Sequence, residues 1–209
     1  MRSIIKYARS GGARFISHLD MQRAFARAFR RAELPVKYSE GFNPHILTSF
    51  ASPLSVGVGT LGDYLEVRME EECSGETIKN RLNEILPADI QIVSAGALEE
   101  NCPKLMAISH SALYELVFSQ KPAETDAFMA STSIVLQDKK GRTLDIRPLV
   151  YGLSAKGNTV TARLANSSAG ALNPGVLAAA LSPGKVKITR IECFCMVKGE
   201  VIPFHKLGK

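Results

Sequence analysis

Apolar and polar positions alternate or cycle in a readable order along the first half of the chain. Residues 3–9 (SIIKYAR) have the density of a short strand, which ends at Gly11-Gly12. Ser17-His18-Leu19-Asp20 carries a helix start signal, with Ser17 as N-cap and Asp20 near the positive helix end. Met21, Phe25, Ala28, Phe29 and Ala32 then recur at helical spacing, and the helix is expected to end near Glu33, ahead of Pro35. Residues 38–44 (YSEGFNP) are turn formers. Residues 46–58 and 61–69 read as two strands joined by a glycine-rich hairpin turn. Ser74 caps a second helix over 75–86, with Ile78, Leu82, Ile85 and Leu86 on one face, and Pro87 ends it before a strand at 90–93.

The second half repeats this β-α-β-β-α-β order. Residues 112–119 read as a strand and 121–130 as a helix opening at Pro122. Residues 133–137 and 143–153 read as strands around a Lys139-Lys140-Gly141 turn, with 159–164 pairing back across 155–158. Asn173-Pro174 opens a helix to Leu181, Ser182-Pro183-Gly184 stops it, and 186–197 is a long final strand. Asn101-Cys102-Pro103-Lys104 is the expected linker. The fold class is therefore α+β: two tandem ferredoxin-like units, residues 1–100 and 105–209, each an antiparallel sheet with helices on one face.

Composition narrows the class. Of 209 residues, 45% are hydrophobic and 22% charged, which is globular and excludes disorder, collagen-like repeats and a coiled-coil rod. Apolar runs are too short to span a bilayer, and the first residues lack a signal-peptide core, so a cytoplasmic protein is expected. Four cysteines without a framework spacing fit reduced thiols. Cys193 and Cys195 share a strand face without a second cysteine pair, which reads as core thiols and no metal site.

Charge is unevenly placed. The first 50 residues hold nine Lys and Arg against three Asp and Glu, and the rest of the chain holds 17 of each sign. The whole net charge of +6 thus belongs to the first quarter, where it makes a local field attractive to polyanions. Arg23, Arg27, Arg30 and Arg31 fall at i, i+4, i+7 and i+8, on the helix face opposite the apolar one. Guanidinium forks suit phosphate, and equally carboxylate. The readings that stay open are a polyanion surface extended by Lys37, Lys6, Arg9 and Arg14, a merely solvated face, or arginines tied to acids of the second domain.

Around the stripe lie His18, Asp20, Lys37, Tyr38, Asn43 and His45. Asp20, Tyr38, Asn43 and His45 form a candidate loop or partner site. His18 and His45, with Tyr38 positioning, are weak candidates for metal-free acid–base cleavage of RNA; a backbone-bonding His18 and a loop-buttressing His45 are the plainer alternative. The letters GxGxxG at residues 57–62 precede a strand-like segment, not a helix, so a hairpin turn is expected there and no dinucleotide site. No cofactor is expected. The cysteines do not cluster as an iron–sulfur site requires.

Several blocks carry a resemblance: RFISHLD (residues 14–20), RAFARAFRRAELPVKYSEGFNPH (23–45), SFASPLSVGVGTLGDYLEV (49–67) and DIRPLV (145–150). In these the chain resembles the radical SAM-linked family of bacterial proteins, whose members look like a domain fused to, or encoded beside, a radical SAM protein. It departs from the family's usual pattern at Ile46 and Asp63. The resemblance implies a radical SAM protein supplied in trans as partner, and the family's gene neighbours hint at RNA. Three functions follow as expectations. The first is an RNA-binding accessory protein, not itself an enzyme, acting with that partner in tRNA or rRNA modification or processing. The second is a protein-interaction module docking on the partner without RNA, and the third a metal-independent ribonuclease.

Overall fold

The computed structural model describes residues 1–122, 125–137 and 143–208. In chain order the strands are β1 (Arg2–Arg9), β2 (Thr48–Phe50), β3 (Gly59–Arg68), β4 (Ile90–Leu98), β5 (Ser109–Phe118), β6 (Val135–Gln137), β7 (Thr143–Asp145), β8 (Val150–Lys156), β9 (Thr159–Ser167), β10 (Gly170–Ala171), β11 (Val186–Val197) and β12 (Glu200–Pro203). The helices are α1 (His18–Arg31), α2 (Gly75–Ile85), α3 (Leu105–Ile108), α4 (Thr125–Ala130) and α5 (Pro174–Leu181). Short 3-10 turns cover Gly11–Phe15, Arg147–Leu149 and Phe204–Leu207. The protein is a mixed α+β molecule in which sheet dominates.

Ten of these strands form one sheet. Its main path runs β10-β9-β5-β11-β3-β1-β4, with β8 on β9, β2 on β3 and β12 on β11. In the first half the spatial order is β4-β1-β3-β2, all antiparallel, and in the second it is β11-β5-β9-β8, also antiparallel. The halves join where β11 meets β3 in parallel, through Thr189↔Gly59 and Arg190↔Thr60. The β6–β7 hairpin stands apart from this sheet.

The helix ends follow the local chemistry. Ser17 Oγ accepts from the Asp20 amide at 3.1 Å, Ser74 Oγ from that of Thr77 at 3.1 Å, and Asn173 Oδ1 from that of Gly175 at 2.8 Å. Helix α1 buries Met21, Phe25, Ala28 and Phe29 against Ile5, Tyr7, Leu65 and Val67 of the sheet, with α2 contributing Ile78 and Leu82. Tyr7 and Phe50 meet the Phe25 ring edge-on at 5.1 and 5.7 Å, a favoured aromatic geometry. The second core cluster draws Leu116, Leu164, Leu177 and Phe204 together with Ile4, Tyr64 and Leu98 of the first half. Apolar burial therefore crosses the seam.

Two expectations are corrected. The strand expected over 46–58 is only Thr48–Phe50 long, and no tight hairpin follows. Pro53 lacks a ladder donor, and the carbonyls of Pro53, Ser55 and Val58 accept instead from Arg190 and Arg9. The strand expected over 143–153 is broken by the 3-10 turn at Arg147–Leu149, where Pro148 fixes the backbone. Of the helix expected over residues 121–130, Thr125–Ala130 is helical, Lys121 and Pro122 are not, and residues 123–124 lie outside the described residues. The Lys139-Lys140-Gly141 turn lies outside the described residues. No helix among the described residues is long and apolar enough to cross a membrane.

The thiols give a test of the seam. Cys193 and Cys195 are buried on β11, and burial pushes both up, Cys195 to about 11. Since the thiolate is the nucleophile, iodoacetamide at pH 8 should label Cys73 and Cys102 of the native chain well before these two, and all four in urea. Equal native labelling of all four, read by mass spectrometry, would mean that the seam is open.

Candidate functional site

The arginine stripe is built by packing. Because Phe25 and Phe29 are fully buried, the opposite face of α1 must point outward, and Arg23, Arg27, Arg30 and Arg31 are all exposed there. Arg23 pairs with Asp20 at 3.1 Å, one turn back on the same helix. Arg27, Arg30 and Arg31 have no carboxylate partner among the described residues of either half. Arg81 of α2 adds a further cation, its guanidinium donating to the carbonyls of Ala32 (3.5 Å) and Glu33 (3.2 Å) at the C-terminal end of α1. A cation there meets the negative end of the helix dipole. Nothing in the local sequence pattern announces Arg81, which lies fifty residues downstream.

The other basic residues are distributed differently. Lys37 is exposed, with its backbone tied to Arg68 and Leu47 beside β3. Lys6 is on β1 with its ammonium 2.7 Å from Glu192 Oε2, in a half-buried group that includes the Tyr64 hydroxyl, 2.7 Å from Glu192 Oε1, and His205. Arg9 is buried and Arg14 half-buried, both on a cavity at the seam. The structure thus gathers the four arginines of α1 and leaves Lys6, Arg9 and Arg14 apart from them.

The loop after α1 is closed at its base. Tyr38 bridges to Ile46, the Ser39 amide donates to the His45 carbonyl at 2.8 Å, and Ser39 Oγ lies 2.8 Å from His45 Nδ1. Asn43 and the fully exposed Phe42 stand at its tip. Phe42, between Gly41 and Asn43 in the turn-forming stretch, is outside the expected site residues. His18 sits in the first turn of α1, 3.2 Å from Gln22 Nε2 and edge-on to Phe50. The two histidines are each engaged locally, and no hydrogen bond joins them.

Two polar clusters hold the fold together. The Asp145–Val150 stretch is a clasp. Asp145 Oδ1 accepts from the amides of Ile134 (2.8 Å) and Arg147 (3.0 Å), while the Arg147 guanidinium reaches the carbonyls of Ser131, Met129 and Val150. The two amide bonds and Ser133 hold the Asp145 carboxyl below its usual range. A depressed carboxyl stabilises the fold above its unfolded pKa of about 3.9 and stops doing so as pH falls through the lower folded value. Protection of the Ile134 amide from hydrogen exchange should therefore fall on acidification below pH 4, and Asp145→Asn should lower it at neutral pH; unchanged protection in both would remove the clasp.

Asp63 is 2% exposed on β3 and pairs with Arg190, 3% exposed on β11, at 2.7 Å. Arg190 also donates to the Tyr114 hydroxyl (3.0 Å) and the Pro53 carbonyl (3.1 Å), and the Cys193 thiol donates to Asp63 at 3.4 Å. Each polar group of this buried knot has a partner, as burial demands.

Comparison with curated proteins finds no match. A family model matches residues 2–174, from β1 through the clasp to the first residue of α5, and so takes in the stripe, the loop and Asp63. That stretch is most of the chain, and the chain belongs to the family described as uncharacterized protein conserved in bacteria (DUF2344).

Proposed function

We propose that the exposed face of α1 binds RNA, and that the chain is an accessory protein presenting it to a radical SAM protein, in tRNA or rRNA modification or processing in the cytoplasm. The observation that carries the reading is the set of three exposed guanidiniums, Arg27, Arg30 and Arg31, without a carboxylate among the described residues. Arg81 extends the field past the helix end. Like charges so spaced cost a few tenths of a kcal/mol per pair in an isolated helix, and a polyanion reverses that cost. The radical SAM partner rests on the resemblance of residues 14–20, 23–45 and 49–67 to the radical SAM-linked family. Each half reads as one ferredoxin-like unit, supported by the shared strand order in which the first and third strands are central and helices fill the crossovers. Such a sheet is a platform, and its fold alone names no function.

Binding of a structured RNA such as tRNA over a range of salt concentrations tests this. With three or four phosphate contacts the slope of log K against log salt should be about −2 to −3.5. Absence of binding at 50 mM salt, or a flat slope, overturns it. A pull-down of the radical SAM protein that survives nuclease and needs the arginines would replace RNA with a protein surface as the occupant of the stripe.

A further inference from the structure

Where β3 and β11 meet, a cavity of about 560 Å³ opens between the Gly11–Phe15 turn and the start of both strands. It is lined by three cations, Arg9, Arg14 and Lys187, and by the Phe15 ring. Arg9 is 3% exposed, and its guanidinium donates only to carbonyls: Val58 at 3.0 Å, Ile16 at 3.3 Å and Ser55 at 3.4 Å. Its Nε is buried without a partner. Burial pushes Arg9 below the ordinary arginine range, so its charge is held there at a cost. Asp63, the buried carboxylate of the seam, is already taken by Arg190.

Arg14 shows the same deficit. Its Nε is buried and unpartnered, and its guanidinium lies 4.7 Å from the Phe15 ring centre. Lys187 is exposed and has no ion pair among the described residues. The acid beside the turn is Asp89, whose Oδ2 accepts from the Gly12 amide at 2.7 Å. Both arginines line one cavity with Lys187 and neither has an ion-pair partner among the described residues, so positive charge is left uncompensated there, an arrangement that an anion completes. Phe15 is 59% exposed at the same cavity and offers the flat apolar surface on which a nucleobase stacks. The volume is in the range of small-molecule sites.

We propose that this cavity binds a nucleotide, its phosphate on Arg14 and Lys187 in the field of the buried Arg9, and its base against Phe15. The site uses none of the α1 arginines and stands or falls separately from the RNA reading of the stripe. The phosphate and base belong either to a free nucleoside 5′-monophosphate or to the 5′-phosphorylated end of an RNA strand.

Calorimetric titration of the full chain tests this. The probes are the four nucleoside 5′-monophosphates, the nucleosides, inorganic phosphate, and RNA tetranucleotides with and without a 5′-phosphate. At least one monophosphate or the phosphorylated tetranucleotide should bind about tenfold more tightly than nucleoside or phosphate alone. Arg14→Gln/Lys187→Gln should weaken it about tenfold or more, Phe15→Ala should bring it toward that of phosphate, and Arg27→Ala/Arg30→Ala should leave it unchanged. Tighter binding of the phosphorylated tetranucleotide than of any monophosphate assigns the site to an RNA end, and equal or weaker binding to free nucleotides. The proposal is overturned if no probe binds, if phosphate alone binds as well as every nucleotide, if Arg14→Gln/Lys187→Gln changes nothing, or if the α1 variant abolishes nucleotide binding. Circular dichroism of each variant confirms that it is folded before titration.

Discussion

Asp63→Asn is expected to lower folding stability by about 3–5 kcal/mol, and Arg190→Met by a similar amount, because each strands a buried charge or its partners. The carboxylate and guanidinium are 2.7 Å apart and almost wholly buried. With Asn at 63, the amide oxygen still accepts from Arg190 beside the Tyr114 hydroxyl and the Pro53 carbonyl, but no negative charge is left to offset the buried guanidinium. With Met at 190, Asp63 keeps the Cys193 thiol at 3.4 Å and the Tyr7 hydroxyl at 3.5 Å, both at the long end for hydrogen bonds. Since domains typically have about 5–15 kcal/mol of stability in all, either change removes a large part of it. The pair spans β3 and β11, whose backbone pairing amounts to two registered positions, so the loss falls on the join between the halves. Urea unfolding should show a lower midpoint and a second, separate transition. The double variant Asp63→Val/Arg190→Met should be more stable than the worse single variant, since it leaves neither charge behind. A single-variant loss under about 1 kcal/mol would show that the knot does not hold the seam.

Reversing the stripe is the second large effect. The triple variant Arg27→Glu/Arg30→Glu/Arg31→Glu should lose on the order of 100-fold in RNA affinity at 50 mM salt, at roughly 1 kcal/mol for each exposed charge contact. Its salt slope should fall by about 2–3, corresponding to three phosphate contacts. The three side chains are exposed, so the variant should fold with stability within about 1–2 kcal/mol of the parent. An RNA affinity within threefold of the parent in a folded triple variant sinks the RNA reading. Lys6 offers a contrast: its ammonium is already bound to Glu192, so Lys6→Ala should cost stability before it costs affinity.

How the site was legible differs from residue to residue. Helix α1 was readable because its signals are local: a cap at Ser17, apolar residues at helical spacing, and arginines on the complementary face. Burial of Phe25 and Phe29 fixes the rotation of the helix, and that rotation exposes the stripe. Arg9 and Arg14 looked like members of the same basic patch, since proximity in sequence suggests proximity in space. Strand β1 and the Gly11–Phe15 turn carry them instead to the seam. The strands expected on either side of residues 57–62 do pair antiparallel, but a long connection replaces the tight turn, for a related reason. The carbonyls of Pro53, Ser55 and Val58 find partners in Arg190, distant in sequence, and in Arg9, in place of a ladder.

What the amino-acid order settles alone is whatever depends on neighbours within about one helical turn: the caps of α1, α2 and α5, the faces of α1, the breaks at Pro35 and Pro87, and the concentration of positive charge in the first fifty residues. What only tertiary structure decides is which charges remain free. Arg190 and Lys187 lie on the last long strand, more than 120 residues from Asp63 and from the Gly11–Phe15 turn. Their pairing or lack of it is set by the parallel contact of β3 with β11. A charge is neutralised or left open according to its neighbours in space, and strand order across the sheet is a long-range choice made by burial of the shared core, to which no local pattern of residues is sensitive.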